Sequence, residues 1–148
     1  MARRPMSCTV NPFLFREKEI ALKSAASPKR VMVVGGGPAG IQAALLLARR
    51  GHKVALYERS QKLGGQWNIA SSQASKSAYS SFMEHLCLDL NKSGTKVILG
   101  KNVSKKLVLD IKPEVVILAT GAVPQTLDVP GAAGKNVLQA NDVIFGKV

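Results

Sequence analysis

The chain has 148 residues, and its hydrophobic content of 46% is typical of one globular domain rather than of a disordered segment. Its 2 cysteines are too few for a disulfide framework, and no apolar run approaches the roughly 18 to 20 residues that cross a membrane. No signal-peptide core is evident either, so we expect a cytoplasmic location and no membrane partner.

The balance of charge is strongly basic, with 21 Lys and Arg against 9 Asp and Glu and a net charge of +12. This balance raises the hypothesis of a nucleic-acid-binding or scaffold domain. The bases are scattered along the chain, however, and aromatic residues make up only 5% of it. A solvated basic surface is therefore the favoured interpretation, and a nucleic-acid partner is the less favoured one.

Residues 1–29 are predicted to form an arm and linker that precede the folded domain. A turn-rich segment at 6–12 leads to three adjacent apolar residues at 13–15, and the Ala-Ala-Ser-Pro stretch at 25–28 is typical of a linker. An apolar cluster on such an arm indicates docking against another part of this chain or against a neighbouring domain.

The next part of the chain has the pattern of a strand, a tight turn, a helix and a second strand. The apolar run at 31–34 leads into Gly-Gly-Gly-Pro-Ala-Gly at 35–40, and an Ala/Leu-rich stretch then ends in two arginines and a glycine. Basic residues followed by glycine are typical of the carboxyl end of a helix. A second apolar run at 54–57 ends on Glu58, so the pattern predicts a βαβ unit.

The spacing of the glycines predicts that this unit binds a dinucleotide. Gly35 permits the sharp turn, Gly37 lets a pyrophosphate approach the backbone, and Gly40 lets the helix pack closely on the strand. The helix directs its N–H groups and positive dipole end at the phosphates, and Glu58, 18 residues after Gly40, can bind ribose hydroxyls. The alternative is a structural βαβ unit without a ligand. The candidate binding residues are Gly35, Gly37, Pro38, Ala39, Gly40, Glu58 and Arg59.

The middle of the chain is predicted to contain a loop, a helix and a third strand. The loop covers 59–70, and within it Gly65 follows another glycine and precedes Gln66, a pattern that permits close approach to a ligand. Apolar residues at spacings of three and four predict an amphipathic helix over 78–93, and 95–99 is predicted to be a strand.

The run at 115–119 is apolar throughout, as expected of a strand covered on both faces of a parallel sheet. Thr120 and Gly121 then form a turn at the carboxyl end of this strand, the edge at which open α/β sheets bind ligands. Residues 123–148 are predicted to be a connector. The predicted fold class is α/β, with an incomplete Rossmann-like parallel sheet over 30–122 whose exposed edge favours self-association.

Two motifs resemble those of flavoproteins with two dinucleotide-binding domains. The glycine turn with Glu58 resembles their first FAD motif, and Thr120 with Gly121 resembles the second, which favours FAD over NAD. The segments 8–12 and 64–70, with the turn between them, resemble a narrower group, the NADH:flavin oxidoreductases that include 2,4-dienoyl-CoA reductase and trimethylamine dehydrogenase. Members of that group join an FMN-bearing TIM barrel and a four-iron–four-sulfur cluster to this nucleotide domain.

The resemblance implies roles for individual residues. It makes Cys8 the last ligand of the cluster, Glu58 the acid that binds ribose, and Val103 the position where the backbone meets adenine. Because an iron–sulfur cluster needs four ligands, Cys8 alone cannot hold one. The positions that the resemblance places against the flavin are Gly65, Gln66, Thr120 and Gly121.

The resemblance also implies that the barrel and the other cluster cysteines precede this chain and that an NAD(P)H-binding domain follows it. The expected function is the FAD-binding segment of an NAD(P)H-dependent oxidoreductase, which positions FAD for hydride and electron transfer toward the FMN barrel. No residue of the chain is a candidate acid, base or nucleophile, so the chemistry belongs to the cofactors. The alternative is a non-redox module that holds ADP, as in trimethylamine dehydrogenase-like proteins.

Overall fold

The computed structural model describes residues 22–146, together with 6, 8, 10, 11 and 13–17. The predicted arm at 1–29 is therefore described only in part, and Thr9 and Pro12 of the predicted cluster segment lie outside the described residues. The last two residues of the predicted connector at 123–148 lie outside them as well. The division into an arm, a nucleotide-binding domain and a connector stays a prediction.

The predicted βαβ unit is present as β1 (Arg30–Val34), α1 (Pro38–Arg49) and β2 (Lys53–Tyr57). Pro38 stands at the start of α1, where its fixed φ suits a helix and its missing N–H has no intrahelical partner to lose. The helix ends on a basic residue at its negative pole. Gly51 follows at φ +88°, a conformation that glycine adopts without strain and that turns the chain into β2.

The rest of the described chain adds two strands and several helices. These are α2 (Trp67–Ala70), a 3₁₀ turn (Ala74–Lys76), α3 (Ser77–Lys92), β3 (Lys96–Ile98), α4 (Lys105–Ile111), β4 (Val115–Leu118) and α5 (Ala140–Ile144). The predicted helix at 78–93 is α3, with bounds one residue earlier. The predicted loop at 59–70 is wrong in its last four residues, which form α2. No helix in the described part of the chain is long and apolar enough to cross a membrane.

The four strands form one parallel sheet in the order β3-β2-β1-β4. β1 pairs with β2 along its whole length, from Arg30 opposite Lys53 to Val34 opposite Tyr57. On its other side β1 pairs with β4, and this pairing ends at Val34 opposite Leu118. Because the strands are parallel, their carboxyl ends meet at one edge, and the strand order reverses direction beside β1. This topology confirms the predicted α/β fold class with a Rossmann-like parallel sheet.

α1 and α3 pack together on one face of the sheet and enclose the main hydrophobic core. Its fully buried side chains include Val33 of β1, Ile41 of α1, Leu56 of β2 and Leu90 of α3. Burying an aliphatic side chain of this size stabilises the fold by about 1.5–3 kcal/mol relative to leaving it in water. Ala44, also fully buried, keeps that face of α1 thin, so the helix can lie close to the sheet.

β4 is an outer strand, and its side chains are less covered than those of β1. Val115 and Ile117 pack against the core, whereas Val116 and Leu118 point to the opposite face and are 36% and 75% exposed. The prediction that this strand is covered on both faces is therefore wrong for the described residues. An apolar run marks a strand as buried, but it does not reveal that the strand lies at the margin of the sheet.

Basic side chains gather at the amino-terminal edge of the sheet. Arg30, Lys53 and Lys96 are the first residues of β1, β2 and β3, and all three are exposed. Arg49 and Lys92 end α1 and α3 at the same edge. Ligands of such folds bind at the opposite edge, beyond the carboxyl ends of the strands. This concentration of charge is therefore separate from the place where the glycine motif lies.

The residues immediately before β1 lie against the end of α1. The N–H of Ala25 donates to the Arg50 carbonyl oxygen at 2.9 Å, and the N–H of Lys29 donates to Nδ1 of His52 at 3.0 Å. These two bonds fix the direction from which the chain enters the sheet.

Candidate nucleotide-binding site

The turn between β1 and α1 requires glycine at position 35. Gly35 has a φ of +112°, which side-chain-bearing residues rarely adopt, and its N–H donates to the Tyr57 carbonyl oxygen at 2.8 Å. A Cβ atom at this position would lie 2.2 Å from the carbonyl oxygen of Ala119. The turn is therefore enclosed between the ends of β2 and β4.

Gly40 is packed closely against other backbone atoms, whereas Gly37 faces open space. A Cβ on Gly40 would lie 1.9 Å from the carbonyl oxygen of Gly35, so α1 lies directly against the turn. A Cβ on Gly37 would meet no atom of the described residues within 4 Å. The backbone of Gly37 is extended, at φ −78° and ψ 178°, and it borders open space at the amino end of α1.

The amino end of α1 has the properties of an anion site. The helix has 12 residues, and no side chain from the described part of the chain caps it at Gly37. First-turn N–H groups have no intrahelical acceptor, and Pro38 contributes none, so the donors are those of Ala39 and Gly40. Together with the positive dipole end, these groups suit a phosphate. The fold thus brings the predicted phosphate residues together.

Glu58 follows β2 directly and is only 7% exposed. Its Oε2 accepts a hydrogen bond from the Gly36 N–H at 2.7 Å, and its Oε1 accepts one from the Ser60 N–H at 2.8 Å. Each carboxylate oxygen can accept a further hydrogen bond, so ribose hydroxyls can still bind to the same group. The side chain therefore joins the turn at residues 35–40, the predicted phosphate turn, to the end of β2.

The pKa of the Glu58 carboxyl lies below its ordinary value. Burial acts to raise this pKa, but the hydrogen bonds from the Ser60 and Gly36 N–H groups, a bond from the Ser60 hydroxyl and the charge of Arg59 together outweigh burial. Glu58 is thus ionised at neutral pH. A carboxylate is the form that accepts hydrogen bonds from ribose hydroxyls.

A cleft of about 110 Å³ opens beside Glu58 at the carboxyl edge of the sheet. The predicted residues that line it are Gly35, Glu58, Arg59, Val103 and Thr120. The residues that line it without having been predicted are Val34, Tyr57, Lys101 and Asn102. Their position could have indicated them, because each lies at or just beyond the carboxyl end of a strand, where open α/β sheets place their ligands.

Residues 64–66 of the loop after β2 lie against the phosphate turn rather than in the cleft. The N–H of the first loop glycine donates to the Gly36 carbonyl oxygen at 2.8 Å, and a Cβ on Gly65 would lie 3.4 Å from the Cα of Gly37. The side chain of Gln66 donates from Nε2 to the carbonyl oxygen of Ala122. Gly65 and Gln66 therefore lie next to the turn, but they do not line the cleft.

Two further predicted residues lie outside the cleft. Gly121 follows Thr120 at φ +74°, and a Cβ on it would meet no atom of the described residues within 4 Å. Cys8 is exposed on the arm. Within the described residues, no group of three or more His, Cys, Asp or Glu side chains could hold a metal ion. The role of Cys8 as a cluster ligand stays a prediction about a longer protein.

Comparison with known protein families shows which family the chain belongs to. The family model described as pyridine nucleotide-disulphide oxidoreductase matches residues 29–146. The chain belongs to this family. The matched residues contain the phosphate turn, Glu58 and the turn after β4, so the pyridine nucleotide-disulphide oxidoreductase model covers every element that lines the cleft.

The curated relatives in the family include redox enzymes that are much longer than this chain. The NADH oxidase of Thermoanaerobacter brockii is 44% identical over 146 residues, which are 97% of this chain and 22% of that protein. The cinnamate reductase of Clostridium sporogenes is 39% identical over 143 residues, which are 95% of this chain and 21% of that protein. The chain thus spans about a fifth of the length of these relatives.

Solved structures of family relatives have the same fold. A 2-naphthoyl-CoA reductase in complex with 2-naphthoyl-CoA matches with a TM-score of 0.92 and 31% identity, over 97% of this chain and 22% of that one. The 6-hydroxypseudooxynicotine amine oxidase from Pseudomonas geniculata matches with a TM-score of 0.82 and 27% identity, over 95% of this chain and 23% of that one. The predicted kinship with flavoprotein oxidoreductases of the trimethylamine dehydrogenase and ene-reductase type is confirmed.

Proposed function

We propose that the chain is the FAD-binding segment of an NAD(P)H-dependent flavoprotein oxidoreductase and that it holds the ADP half of FAD. The observation that carries this proposal is the open space in front of Gly37, at an amino end of α1 that no described side chain caps. A pyrophosphate needs a positive helix end together with a backbone that it can approach without an intervening side chain. The residues of this site fit such a group.

The cleft at the carboxyl edge suits the adenosine end of the same ligand. The ionised carboxylate of Glu58 can accept hydrogen bonds from ribose hydroxyls, and Val103, which lines the same cleft, is assigned to adenine in this proposal. Arg59 and Lys101 line the same cleft and add positive charge beside an anionic ligand. Thr120 borders the cleft from β4.

When bound, FAD supplies the chemistry of accepting a hydride and releasing electrons singly. The residues of this chain contribute binding and orientation instead. The amino end of α1 balances the charge of the pyrophosphate, and Glu58 fixes the ribose. We assign no catalytic acid, base or nucleophile to the chain.

The rest of the machinery belongs to a longer protein in this proposal. The relatives are about five times as long as this chain, which leaves room for an FMN-bearing barrel and an NAD(P)H-binding domain. Cys8 would complete a four-iron–four-sulfur cluster with three cysteines from outside the chain. In that arrangement the chain positions FAD between the NAD(P)H domain and the cluster.

The test is the substitution Gly37→Ala. The backbone angles of Gly37 are ones that alanine adopts freely, and the added Cβ would meet open space. We therefore expect the free energy of unfolding to stay the same or to rise by about 0.5 kcal/mol, because alanine restricts the unfolded chain. The same methyl group would occupy the approach path of the pyrophosphate. We expect the affinities for FAD and for ADP, measured by calorimetry, to fall by about tenfold or more.

The combination of unchanged stability and lost binding separates a ligand site from a structural turn. Thermal unfolding of both proteins supplies the control for folding. If Gly37→Ala binds FAD and ADP as the wild-type chain does, the phosphate site does not lie at this turn. If the folded wild-type chain binds neither ligand, the proposal fails as a whole.

A second candidate function is a non-redox module that holds ADP. The position of the cleft favours this function, because the cleft suits the adenosine end of a dinucleotide. Three of the residues expected to contact the flavin, Gly65, Gln66 and Gly121, do not line it. The visible spectrum after desalting distinguishes the two functions. Retained flavin absorbance supports the FAD-binding segment, and ADP binding without retained flavin supports the ADP module.

A further inference from the structure

A cluster of exposed basic side chains lies at the amino-terminal edge of the sheet, and we call this cluster the basic edge. It begins the three neighbouring strands β3, β2 and β1 and ends the helices α1 and α3. The segments that carry it, at 29–30, 49–53 and 92–96, contain no Asp or Glu. The fold thus brings together charges that are far apart in the sequence. The members of the basic edge are Arg30, Arg49, Lys53, Lys92 and Lys96.

Most of this charge is unpaired within the described part of the chain. The guanidinium of Arg30 lies 3.7 Å from the Glu114 carboxylate and also donates to the Lys112 carbonyl oxygen. The side chains of the other four members make no ion pair or hydrogen bond with a described residue. Basic residues that end α1 and α3 stabilise those helices through the helix dipole, but Lys53 and Lys96 begin strands and have no such role.

The basic edge lacks the apolar side chains of a permanent interface. No large apolar side chain that is exposed in the described residues lies within 29–30, 49–53 or 92–96. Permanent interfaces resemble a domain core cut in half, whereas transient ones depend more on complementary charge, which speeds the encounter of the two partners. The basic edge therefore fits a partner that carries acidic side chains and associates reversibly.

Two features favour an acidic protein over a nucleic acid. The three segments contain no Trp, Tyr or Phe on which a base could stack. In addition, α1 and α3 end at this edge, and the last carbonyl groups of a helix are hydrogen-bond acceptors with partial negative charge. A phosphate backbone brings only acceptors, whereas a protein surface brings carboxylates for the basic side chains and N–H donors for the carbonyl groups.

We infer that the basic edge is a docking surface for an acidic surface of a separate protein. This inference goes beyond the proposed function and does not depend on it. The basic edge and the phosphate turn lie at opposite ends of β1, which has 5 residues and is about 15 Å long. The acidic partner docks at one edge of the sheet and leaves the other edge open to a nucleotide.

The double substitution Lys53→Gln with Lys96→Gln tests this inference. It removes two charges from the basic edge without breaking a contact to a described residue. The probe is a fluorescent synthetic peptide of about ten glutamates, which stands in for the acidic surface of the partner. We expect the affinity for this peptide to fall about fivefold, because each exposed ion pair contributes modestly. Fluorescence anisotropy at low ionic strength measures the affinity, and melting temperatures should be equal in all proteins.

Lys105→Gln with Lys106→Gln is the matched control. Both lysines are exposed in the first turn of α4, beyond the carboxyl end of β3, and they do not line the cleft. The two double variants have the same net charge, which is two units below the wild-type value of +12. The control should therefore bind the peptide within about twofold of the wild-type chain if the position of the charge decides binding.

An equal loss of affinity in both double variants overturns the inference, because net charge alone would then decide binding. Absence of peptide binding by the folded wild-type chain overturns it as well. A DNA duplex of about 20 base pairs is titrated in parallel, and we expect its affinity to fall equally in both double variants because it follows net charge. If the duplex instead loses more affinity in the edge variant than in the control, the basic edge binds nucleic acid and the inference of a protein partner is overturned.

Discussion

Glu58 supports the fold as well as the candidate site. Its carboxylate holds the Gly36 N–H of the phosphate turn and the Ser60 N–H beyond β2, so the turn is positioned before any ligand is present. The free energy of burying this charge is offset by those hydrogen bonds, and the same bonds keep the group ionised. In the proposed function, the ribose of FAD would meet an acceptor that does not need to reorganise.

The pH dependence of stability should reveal this structural role. Because the pKa of Glu58 in the folded state is lowered, its contribution is present at neutral pH and is lost as the pH falls through that lowered pKa. We expect Glu58→Gln to reduce the free energy of unfolding by about 2 kcal/mol near pH 7, because charged hydrogen bonds are replaced by neutral or unmade ones. The difference from the wild-type chain should stay constant from pH 7 down to the ordinary glutamate pKa of 4.5, and it should shrink as the pH falls further, through the lowered pKa of the folded state.

Urea unfolding at several pH values measures this difference, and Glu84→Gln on the exposed face of α3 is the matched control. That control should change stability by no more than about 0.5 kcal/mol at any pH. A difference between wild type and Glu58→Gln that stays constant over the pH range would mean that the charge of Glu58 has no part in holding the turn.

The sequence predicts which residues lie at the candidate site better than it predicts the hydrogen bonds between them. The position of Glu58 at the end of β2, beside the glycine turn, could be predicted because the βαβ unit fixes its distance from that turn. Its bond to Gly36 and the bond from Gln66 to Ala122 span 22 and 56 residues, and no local pattern encodes them. The first depends on the pairing of β1 with β2, and the second depends on where β4 joins the sheet.

At the scale of elements, the close approach of α1 to the phosphate turn depends on the absence of a side chain at Gly40. A single methyl group there would have to occupy a position 1.9 Å from the carbonyl oxygen of Gly35. That obstacle is backbone, which cannot rotate away as a flexible side chain can. The helix would have to move off the sheet, and its core contacts through Ile41 and Ala44 would move with it.

We expect Gly40→Ala to lower the free energy of unfolding by about 3 kcal/mol, because overpacking against backbone displaces a whole helix. Chemical denaturation measures the loss. Gly37→Ala, the same change three residues earlier, is the control and should cause no loss. Wild-type stability in Gly40→Ala would show that α1 does not lie directly against the turn.

Most helices and strands could be predicted because their patterns of apolar residues extend over enough positions to show a period. The helix at α3 has five apolar positions at helical spacing, and β1 and β2 are apolar runs bounded by turn residues. α2 was missed because a single helical turn has no period to detect, and tertiary contacts decide it. The indole of Trp67, which bonds to Tyr79 and packs on Phe82, supplies those contacts.

The exposed face of β4 matters at the scale of the whole molecule. Leu118 is 75% exposed at the margin of the sheet, and Val123 and Leu127 beyond it are 80% and 73% exposed. Strand edges with apolar side chains tend to pair with another chain. We expect the isolated chain to self-associate through this edge.

Leu118→Lys should weaken that association by about tenfold or more, because a charge at the margin opposes edge-to-edge pairing. Sedimentation velocity over a concentration series measures the dissociation constant. Leu88→Lys, at an exposed position on α3, is the matched control and should leave association unchanged. Equal weakening by both variants would mean that net charge rather than the β4 edge controls association.

The basic amino-terminal edge of the sheet affects how copies of the protein interact with one another in solution. Each molecule carries a charge of +12, and the exposed Arg30, Lys53 and Lys96 begin three strands at this edge, so two copies repel at a distance. Salt shortens the range of that repulsion from about 30 Å at 0.01 M to about 8 Å at 0.15 M. Dilute buffer should therefore keep the chain dispersed and added salt should drive it to cluster, the reverse of what salt does to a protein held on DNA.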